Sequence, residues 1–272
     1  MIYCLTRTEL SKFYTRTGVK MKDIGATIQL RDSAELEQLI DEVESIIETK
    51  YLRYCDIVNP LHFLASGIAR SAANAVRLHS RMPQLINQTI GDQQRRELCV
   101  LAQKVLDTDS AAYSNPSLKK FHWHIKAFFL WDALICILTS LAKAGFFSRA
   151  ELDATWSKIA DVYSNHQEIL VAKGALRVAV GRVTLKAWLA NPPSDSTPEP
   201  AFVTALRSQR KTKIAKSSKK SNGSVAEAVS SLVSTPSSDA NALFGSLDGM
   251  DLNLYSNFNL DTADWMFWDQ LI

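Results

Sequence analysis

Apolar residues recur every three and four positions across most of residues 31–190, and this spacing constrains the fold more than any other feature of the sequence. The spacing lines one face of a helix with apolar side chains, whereas a half-buried strand needs strict alternation of apolar and polar residues. No alternating stretch of useful length occurs in the sequence. We therefore predict an all-α fold, with a multi-helix bundle at 31–190 and an N-terminal segment, 1–30, that stays undecided.

Local signals predict where the helices of this bundle begin and end. The predicted start signals are Asp32 or Ser33, Asn59-Pro60, Asn115-Pro116, and the capping-box pair Ser148 and Glu151. The first helix carries its apolar face to Tyr54, and the second is expected to end near Met82 because Pro83 follows. Further helices are expected at 93–107 and at about 168–189.

The helix after Asn115-Pro116 is apolar nearly all round, which is typical of the central helix of a helical domain. Its most hydrophobic part, 127–142, contains Asp132 and is shorter than the roughly 18–20 residues that a bilayer span requires. We therefore predict a buried helix and no membrane association. The four cysteines lie far apart without a C-x-x-C pair, and they predict reduced, buried thiols in an intracellular protein: Cys4, Cys55, Cys99 and Cys136.

We find no pattern that predicts a catalytic, metal-binding or cofactor-binding residue. His122 and His124 flank Trp123, but positions i and i+2 of a helix point about 200° apart, so the two rings cannot converge on one ion. We interpret them as partly buried histidines beside a core tryptophan. His62 could pair with Asp56, but one histidine beside one aspartate is not a catalytic triad. No nucleophile elbow, P-loop or zincin motif occurs, so an enzyme is the least favoured class.

Charge is divided sharply along the C-terminal part. Residues 221–272 contain no lysine or arginine and seven carboxylates, whereas the whole chain carries +3, so residues 1–220 sum to +10. Four prolines at 191–200 are expected to end the folded body. We predict a Pro-rich linker and basic segment at 191–220, followed by a disordered acidic and aromatic tail at 221–272.

The basic segment has three possible uses: nuclear import through a receptor groove, non-specific phosphate contact with DNA or RNA, or a solvated linker. Its cations are Arg207, Arg210, Lys211, Lys213, Lys216, Lys219 and Lys220. The tail suits a short helix that binds a partner groove, such as that of a co-activator, although its indoles could instead dock on the protein's own helices. The residues proposed for this contact are Asp264, Trp265, Phe267, Trp268, Asp269 and Leu271.

The sequence Tyr51-Leu52-Arg53-Tyr54-Cys55-Asp56, with Asn59-Pro60-Leu61-His62 and Ala69-Arg70 after it, resembles the "KYL-x-YCD…PLH…AR" stretch of the fungal-specific transcription factor domain. Trp123-His124 with Trp131, and the region of Trp156, resemble later segments of that domain. The Asp-Trp-x-x-Trp-Asp ending at 264–269 is similar to the C-terminus of many such regulators. The resemblance covers roughly 30–190 and implies an all-helical regulatory region, a nuclear location and control of a fungal secondary-metabolite gene cluster.

The same family reads DNA through six cysteines that hold two zinc ions, and this sequence does not supply them. Where that family often has a second Trp-His pair, this sequence has Trp131-Asp132. Sequence-specific DNA binding is therefore expected from outside this chain. The chain is then the C-terminal part of a longer regulator, a truncated gene product, or a partner that forms a homo- or heterodimer with a DNA-binding regulator. The alternatives are a helical ligand-sensing or scaffolding module, in which the apolar helix lines a pocket, and a helical enzyme.

Overall fold

The computed structural model describes residues 1–17, 33–127, 129–171, 174–193 and 198–210, and all regular structure in these ranges is helical. The predicted all-α class is confirmed. The α-helices are α1 (Ile2–Thr17), α2 (Ser33–Lys50), α3 (Pro60–Ile86), α4 (Asp92–Ser114), α5 (His122–Ala127), α6 (Trp131–Leu141), α7 (Arg149–Asn165), α8 (Ala175–Ala190) and α9 (201–210). Short 3-10 helices lie at Leu52–Tyr54, Pro116–Phe121 and Gln167–Leu170.

Helix α6 lies at the centre of the larger hydrophobic core. Residues 133–138 are at most 1% exposed, and they pack among side chains of α3, α4, α7, α8 and α9. A helix buried on all sides must be apolar on all sides, which is the pattern that the sequence shows here. The prediction of a central apolar helix is confirmed for this segment.

A second core joins α1, α2 and α3. Leu10 and Phe13 of α1 are 2% and 1% exposed, and they pack against the apolar face of α2 and an alanine-rich face of α3. On the outer side, Arg77 of α3 forms ion pairs with three carboxylates of α2 at 2.6–2.9 Å: Glu37, Asp41 and Glu44. The N-terminal segment that sequence reasoning left undecided is therefore a helix as far as Thr17, and it completes this core.

Several predicted helix bounds differ from the structure. The helix predicted at 93–107 continues to Ser114, and the helix predicted from about 168 begins only at Ala175, after a 3-10 helix at Gln167–Leu170. The first predicted helix stops at Lys50, and Tyr54, placed on its apolar face, is 63% exposed. Helix α3, in contrast, continues through Pro83 to Ile86. Pro83 lies in the last turn, where it removes one backbone hydrogen bond, and the loss is offset by burial of Leu85 and Ile86 in the main core.

The helix predicted after Asn115-Pro116 is divided in the structure. The Asn115 side chain accepts a hydrogen bond from the Ser117 N–H and starts a 3-10 helix that leads into α5. The chain then bends by 76° before α6. No single helix in the described ranges is both long and apolar enough to cross a bilayer, although the bent pair Pro116–Ala127 and Trp131–Leu141 passes that test by length and composition.

Helix α9 extends the folded body beyond the boundary that we predicted at residue 190. Phe202, Val203 and Leu206 are 6%, 0% and 6% exposed and belong to the main core. The Pro200 carbonyl accepts hydrogen bonds from Val203 and Thr204, so this proline begins a helix where the sequence predicted a linker. The prediction of a linker at 191–220 is therefore wrong for 201–210, which form a packed helix, whereas residues 194–197, 211–220 and the tail at 221–272 lie outside the described residues.

Candidate functional site

The two histidines that flank Trp123 contact different helices. His124 Nε2 is hydrogen-bonded to the Tyr3 hydroxyl of α1 at 2.8 Å, whereas the His122 ring packs on Tyr113 of α4 with 4.3 Å between ring centroids. Burial lowers the pKa of His124 to about 4, so this imidazole is neutral at physiological pH. The rings diverge as helical spacing predicts. Trp123 itself is 55% exposed, so the prediction of a core tryptophan is wrong.

A third histidine, His166, is the centre of a buried charge cluster. It is 1% exposed, and its Nε2 lies 2.8 Å from Asp109 Oδ2 while its Nδ1 lies 3.3 Å from Glu168 Oε1. Burial alone would lower the pKa of His166, but its hydrogen bonds to Asp109 and Glu168 outweigh burial and raise it. Burial likewise opposes ionisation of Glu168, yet the hydrogen bond to His166 and nearby charges bring its pKa down to about 2.

This cluster connects three parts of the fold, because Lys126 Nζ of α5 lies 3.4 Å from Glu168 Oε2. The Phe129 ring covers His166, with 4.3 Å between centroids. The arrangement holds α4, α5 and the end of α7 together by charge, and it leaves both imidazole nitrogens engaged. Sequence reasoning missed His166, although its place at the C-terminal end of α7, where a cation stabilises the helix dipole, was a usable signal.

Asp132, which stands where the resembling family often has histidine, has a buried partner. Its Oδ2 lies 2.6 Å from His79 Nδ1, and the two residues are 6% and 2% exposed. The other carboxylate oxygen, Oδ1, has no hydrogen-bond partner within the described ranges. Across all of the described residues, no group of three His, Cys, Asp or Glu side chains is arranged to hold a metal ion.

The cysteines fall into two classes. Cys99 of α4 and Cys136 of α6 are buried neighbours, and hydrogen bonding with Cys99 together with burial raises the pKa of the Cys136 thiol. A thiol held neutral in this way is a poor nucleophile. Cys4 is exposed and Cys55 is half-buried, so the prediction of buried thiols fails for these two.

The motif that carries the family resemblance builds the junction between α2 and α3. The Asp56 carboxylate accepts a hydrogen bond from the Val58 N–H at 2.9 Å, and the Asp56 N–H donates to His62 Nδ1 at 3.1 Å. The predicted contact between His62 and Asp56 therefore uses the backbone of Asp56. The Asn59 side chain accepts from the backbone N–H of Leu61 and of His62, which confirms the predicted N-cap. These polar residues shape a turn, and none of them is arranged for catalysis.

The residues predicted for nuclear import and partner binding are mostly outside the described ranges. Arg207 lies in α9, where its guanidinium pairs with Glu199 at 2.9 Å, and Arg210 is the last residue of that helix. Gln209 Nε2 also donates to the Leu170 carbonyl at 2.5 Å and fixes the helix end on the body. The residues outside are Lys211, Lys213, Lys216, Lys219, Lys220, Asp264, Trp265, Phe267, Trp268, Asp269 and Leu271.

Exposed apolar side chains are concentrated at one end of the bundle. Ten large apolar residues of the described ranges are exposed. Six of them lie in the first turns of α1 and α3 or shortly before α3, and a seventh, Trp123, lies in α5 next to His124, which contacts Tyr3 of α1. The two helices begin at the same end because Tyr3 packs near Leu64 in a small core, whereas Leu10 and Phe13 pack against later residues of α3. We call these seven residues the end patch: Met1, Leu5, Tyr54, Ile57, Val58, Leu61 and Trp123.

Cations border the end patch. The Arg53 guanidinium lies 5.1 Å from the centre of the Tyr54 ring, and Lys120 Nζ lies 5.2 Å from that of Phe121. Lys119, beside Lys120, is exposed as well. A concentration of exposed apolar residues with a charged border is typical of an interaction surface. Sequence reasoning did not identify this group, because its residues come from three separate stretches of the sequence.

Two curated fungal proteins are similar to this chain. The aurofusarin cluster transcription factor aurR2 of Gibberella zeae is 28% identical over 192 residues, which are 69% of this chain and 28% of that protein. Transcriptional regulator AacuB of Aspergillus aculeatus is 26% identical over 194 residues, which are 69% of this chain and 26% of that protein. The chain spans about a quarter of the length of the curated relatives it matches. No family model and no solved structure matches it.

Proposed function

We propose that this chain is a nuclear regulator of transcription that acts on a fungal secondary-metabolite gene cluster. The observation that carries the proposal is its similarity, over 69% of its length, to two fungal proteins named as regulators of transcription, one of them for a named cluster. The histidines at 79, 124 and 166 each form a hydrogen bond that joins two helices, so their role in the fold is structural.

The charge pattern assigns separate tasks to the parts of the chain in this proposal. The lysines that follow α9 bind an acidic groove of a nuclear-import receptor, and the acidic aromatic segment at 264–272 binds a co-activator. Sequence-specific contact with DNA is made by residues other than those of this chain, either in a partner regulator or in a longer protein. The chain's own contact with DNA is indirect or limited to phosphates.

The tail is tested by fusing residues 221–272 to a neutral DNA-binding domain and measuring a reporter gene. We expect activation by the native tail and a loss of most of it in the Trp265→Ala, Trp268→Ala variant, because the two indoles supply the apolar contact. Phe244→Ala in the same tail is the matched control and is expected to keep activation. A silent native fusion, or equal activity of all three, would contradict the assignment.

Nuclear import is tested separately with a fluorescent tag on the whole chain. Replacing Lys211, Lys213, Lys216, Lys219 and Lys220 by Gln is expected to move the protein to the cytoplasm. The control replaces the exposed body lysines Lys104 and Lys186 by Gln and is expected to leave it in the nucleus. Nuclear retention of the first variant would remove the import role of this segment.

The ligand-sensing alternative depends on α6 as the lining of a pocket. Residues 133–138 of α6 instead contact neighbouring helices and are at most 1% exposed. This packing accounts for the apolar sequence without a ligand, so we favour the regulatory proposal.

A further inference from the structure

We propose that Cys99 and Cys136 are a redox-active pair, which hydrogen peroxide oxidises to a reversible disulfide between α4 and α6. The inference concerns the helical body alone and does not rest on the proposed function. Disulfides are rare in reducing compartments of the cell, and those that form there are usually transient and respond to oxidants. The pair gives the main core a site of oxidative modification.

The two cysteines belong to polar rows on two helices that share the main core. On α4, Arg95 lies one turn before Cys99, and on α6, Asp132 and Ser140 lie one turn before and one turn after Cys136. Residues four apart lie on the same face of a helix, so each row points in one direction. All five residues are at most 6% exposed, and a hydrogen bond joins the two thiols. The rows therefore meet at the two sulfur atoms.

Apolar packing alone does not account for these rows. Arg95 Nε and Asp132 Oδ1 are buried, and neither has a hydrogen-bond partner among the described residues. A buried polar group without a partner costs free energy, so a core that served packing alone would carry apolar side chains at these positions. A buried guanidinium one turn from a thiol instead stabilises the thiolate, which is the reactive form of cysteine.

The surroundings give the two thiols different roles. The hydrogen bond from Cys136 outweighs burial and lowers the pKa of the Cys99 thiol, and the charge of Arg95 acts in the same direction. Hydrogen bonding to Cys99 together with burial raises the pKa of Cys136. Cys99 is also less deeply buried, at 4% exposed against 0% for Cys136. Cys99 is therefore the nucleophile that attacks the peroxide, and Cys136 is the thiol that completes the disulfide.

The chemistry proceeds in two steps. The Cys99 thiolate attacks one peroxide oxygen, the O–O bond breaks, and the hydroxide that leaves takes up the proton that the Cys99 thiol released, which gives a sulfenic acid and water. The Cys136 sulfur then attacks the Cys99 sulfur, the S–O bond breaks, and the second hydroxide leaves as water with the proton of the Cys136 thiol. The two thiols lose two electrons, and the peroxide is reduced to two molecules of water.

Oxidation of the full chain tests the pair. The Cys4→Ser, Cys55→Ser variant leaves Cys99 and Cys136 as its only thiols. After treatment with hydrogen peroxide under native conditions, we expect both thiols to be lost together, with a mass decrease of two hydrogen atoms and a peptide that links α4 to α6. Dithiothreitol is expected to restore both thiols, and the rate of their loss is expected to rise in proportion to the peroxide concentration.

Single substitutions in this background separate the two roles. Cys136→Ala is expected to accumulate a sulfenic acid at Cys99 that dimedone traps, whereas Cys99→Ala is expected to yield none at Cys136. Arg95→Gln is expected to slow oxidation about threefold, because a tenfold lower thiolate fraction is offset by an about threefold higher nucleophilicity. Lys104→Gln removes an exposed cation of the same helix and is expected to leave the rate unchanged. Far-UV circular dichroism checks that each variant is folded.

Three results would overturn the inference. Two free thiols after peroxide treatment mean that the folded body does not form this disulfide. A rate that is independent of peroxide concentration means that oxidation waits for the body to unfold, so the folded pair is inert. Dimedone trapping at Cys136 in place of Cys99 contradicts the assigned roles. If Arg95→Gln does not fold, the trapping experiment alone decides which thiol reacts first.

Discussion

Replacing Phe202 by Ala tests whether α9 belongs to the folded body. Phe202 is 6% exposed, and its ring stacks on Tyr163 with 4.5 Å between centroids and an interplanar angle of 4°. Tyr163 is itself buried and hydrogen-bonded to Thr184 of α8 at 2.8 Å. The substitution therefore removes a ring from the contact of α9 with α7, at a tyrosine that is itself bonded to α8.

The expected cost follows from this burial. Truncation of a core Phe to Ala costs about 3–5 kcal/mol, and we expect the lower end, about 3 kcal/mol, because α9 is a terminal helix that can relax toward the space left behind. For a body of this size, the melting temperature falls by about 2–4 °C per kcal/mol, so the loss is roughly 6–12 °C. This is a large part of a total stability of about 5–15 kcal/mol.

Urea unfolding of the full chain, followed by far-UV circular dichroism, measures the change. The control is Thr204→Ala, an exposed position of the same helix, and it is expected to change stability by less than about 0.5 kcal/mol. If residues after 190 were an unpacked linker, both substitutions would have the same negligible effect. That outcome would refute the placement of α9.

Three further predictions follow from the caps and the buried charges. Ser148→Ala is expected to destabilise the protein by about 1 kcal/mol in urea unfolding, because the hydroxyl accepts the Glu151 N–H of the capping box. The pKa of His166 is raised in the folded protein, so this group contributes stability that is complete below its unfolded-state pKa of 6.5 and is lost as pH rises through its folded-state pKa. The pKa of Glu168 is lowered in the folded protein, so this group contributes stability that is complete above its unfolded-state pKa of 4.5 and is lost as pH falls toward about 2. The native chain should therefore be favoured over His166→Gln most strongly between about pH 4.5 and 6.5, and a pH-independent difference between the two would contradict this cluster. Asp132→Ala is expected to cost about 1–3 kcal/mol in thermal or urea unfolding, because it leaves the buried His79 imidazole without its hydrogen-bond partner, and a cost below about 0.5 kcal/mol would show that the pair contributes little.

Three helix starts were predictable from the sequence because each depends on a few adjacent residues. Asn59 with Pro60, Asn115 with Pro116, and Ser148 form the predicted caps, and all three side chains accept backbone N–H groups. The central position of α6 was predictable for a related reason, since a segment that is apolar on every face has no side to present to water.

Other features depend on contacts that are distant in sequence. The break between α5 and α6 lies in a run that is apolar on both sides, so the pattern contains no signal for it. Only ten residues of helix α9 are described, and its three buried residues are recognisable only through the core against which they pack. The cluster around His166 joins Asp109 to a residue 57 positions away, a distance that no local pattern reports.

The turn between α2 and α3 contains the residues on which the sequence resemblance rests. Asp56, Asn59 and His62 satisfy one another's backbone groups and set the direction in which α3 leaves the turn. Conserving such a device preserves an architecture, and it leaves the stimulus, the target and the binding partner free to diverge. Residues that carry a sequence resemblance can therefore be purely structural, and what this chain binds must be sought on surfaces outside the turn.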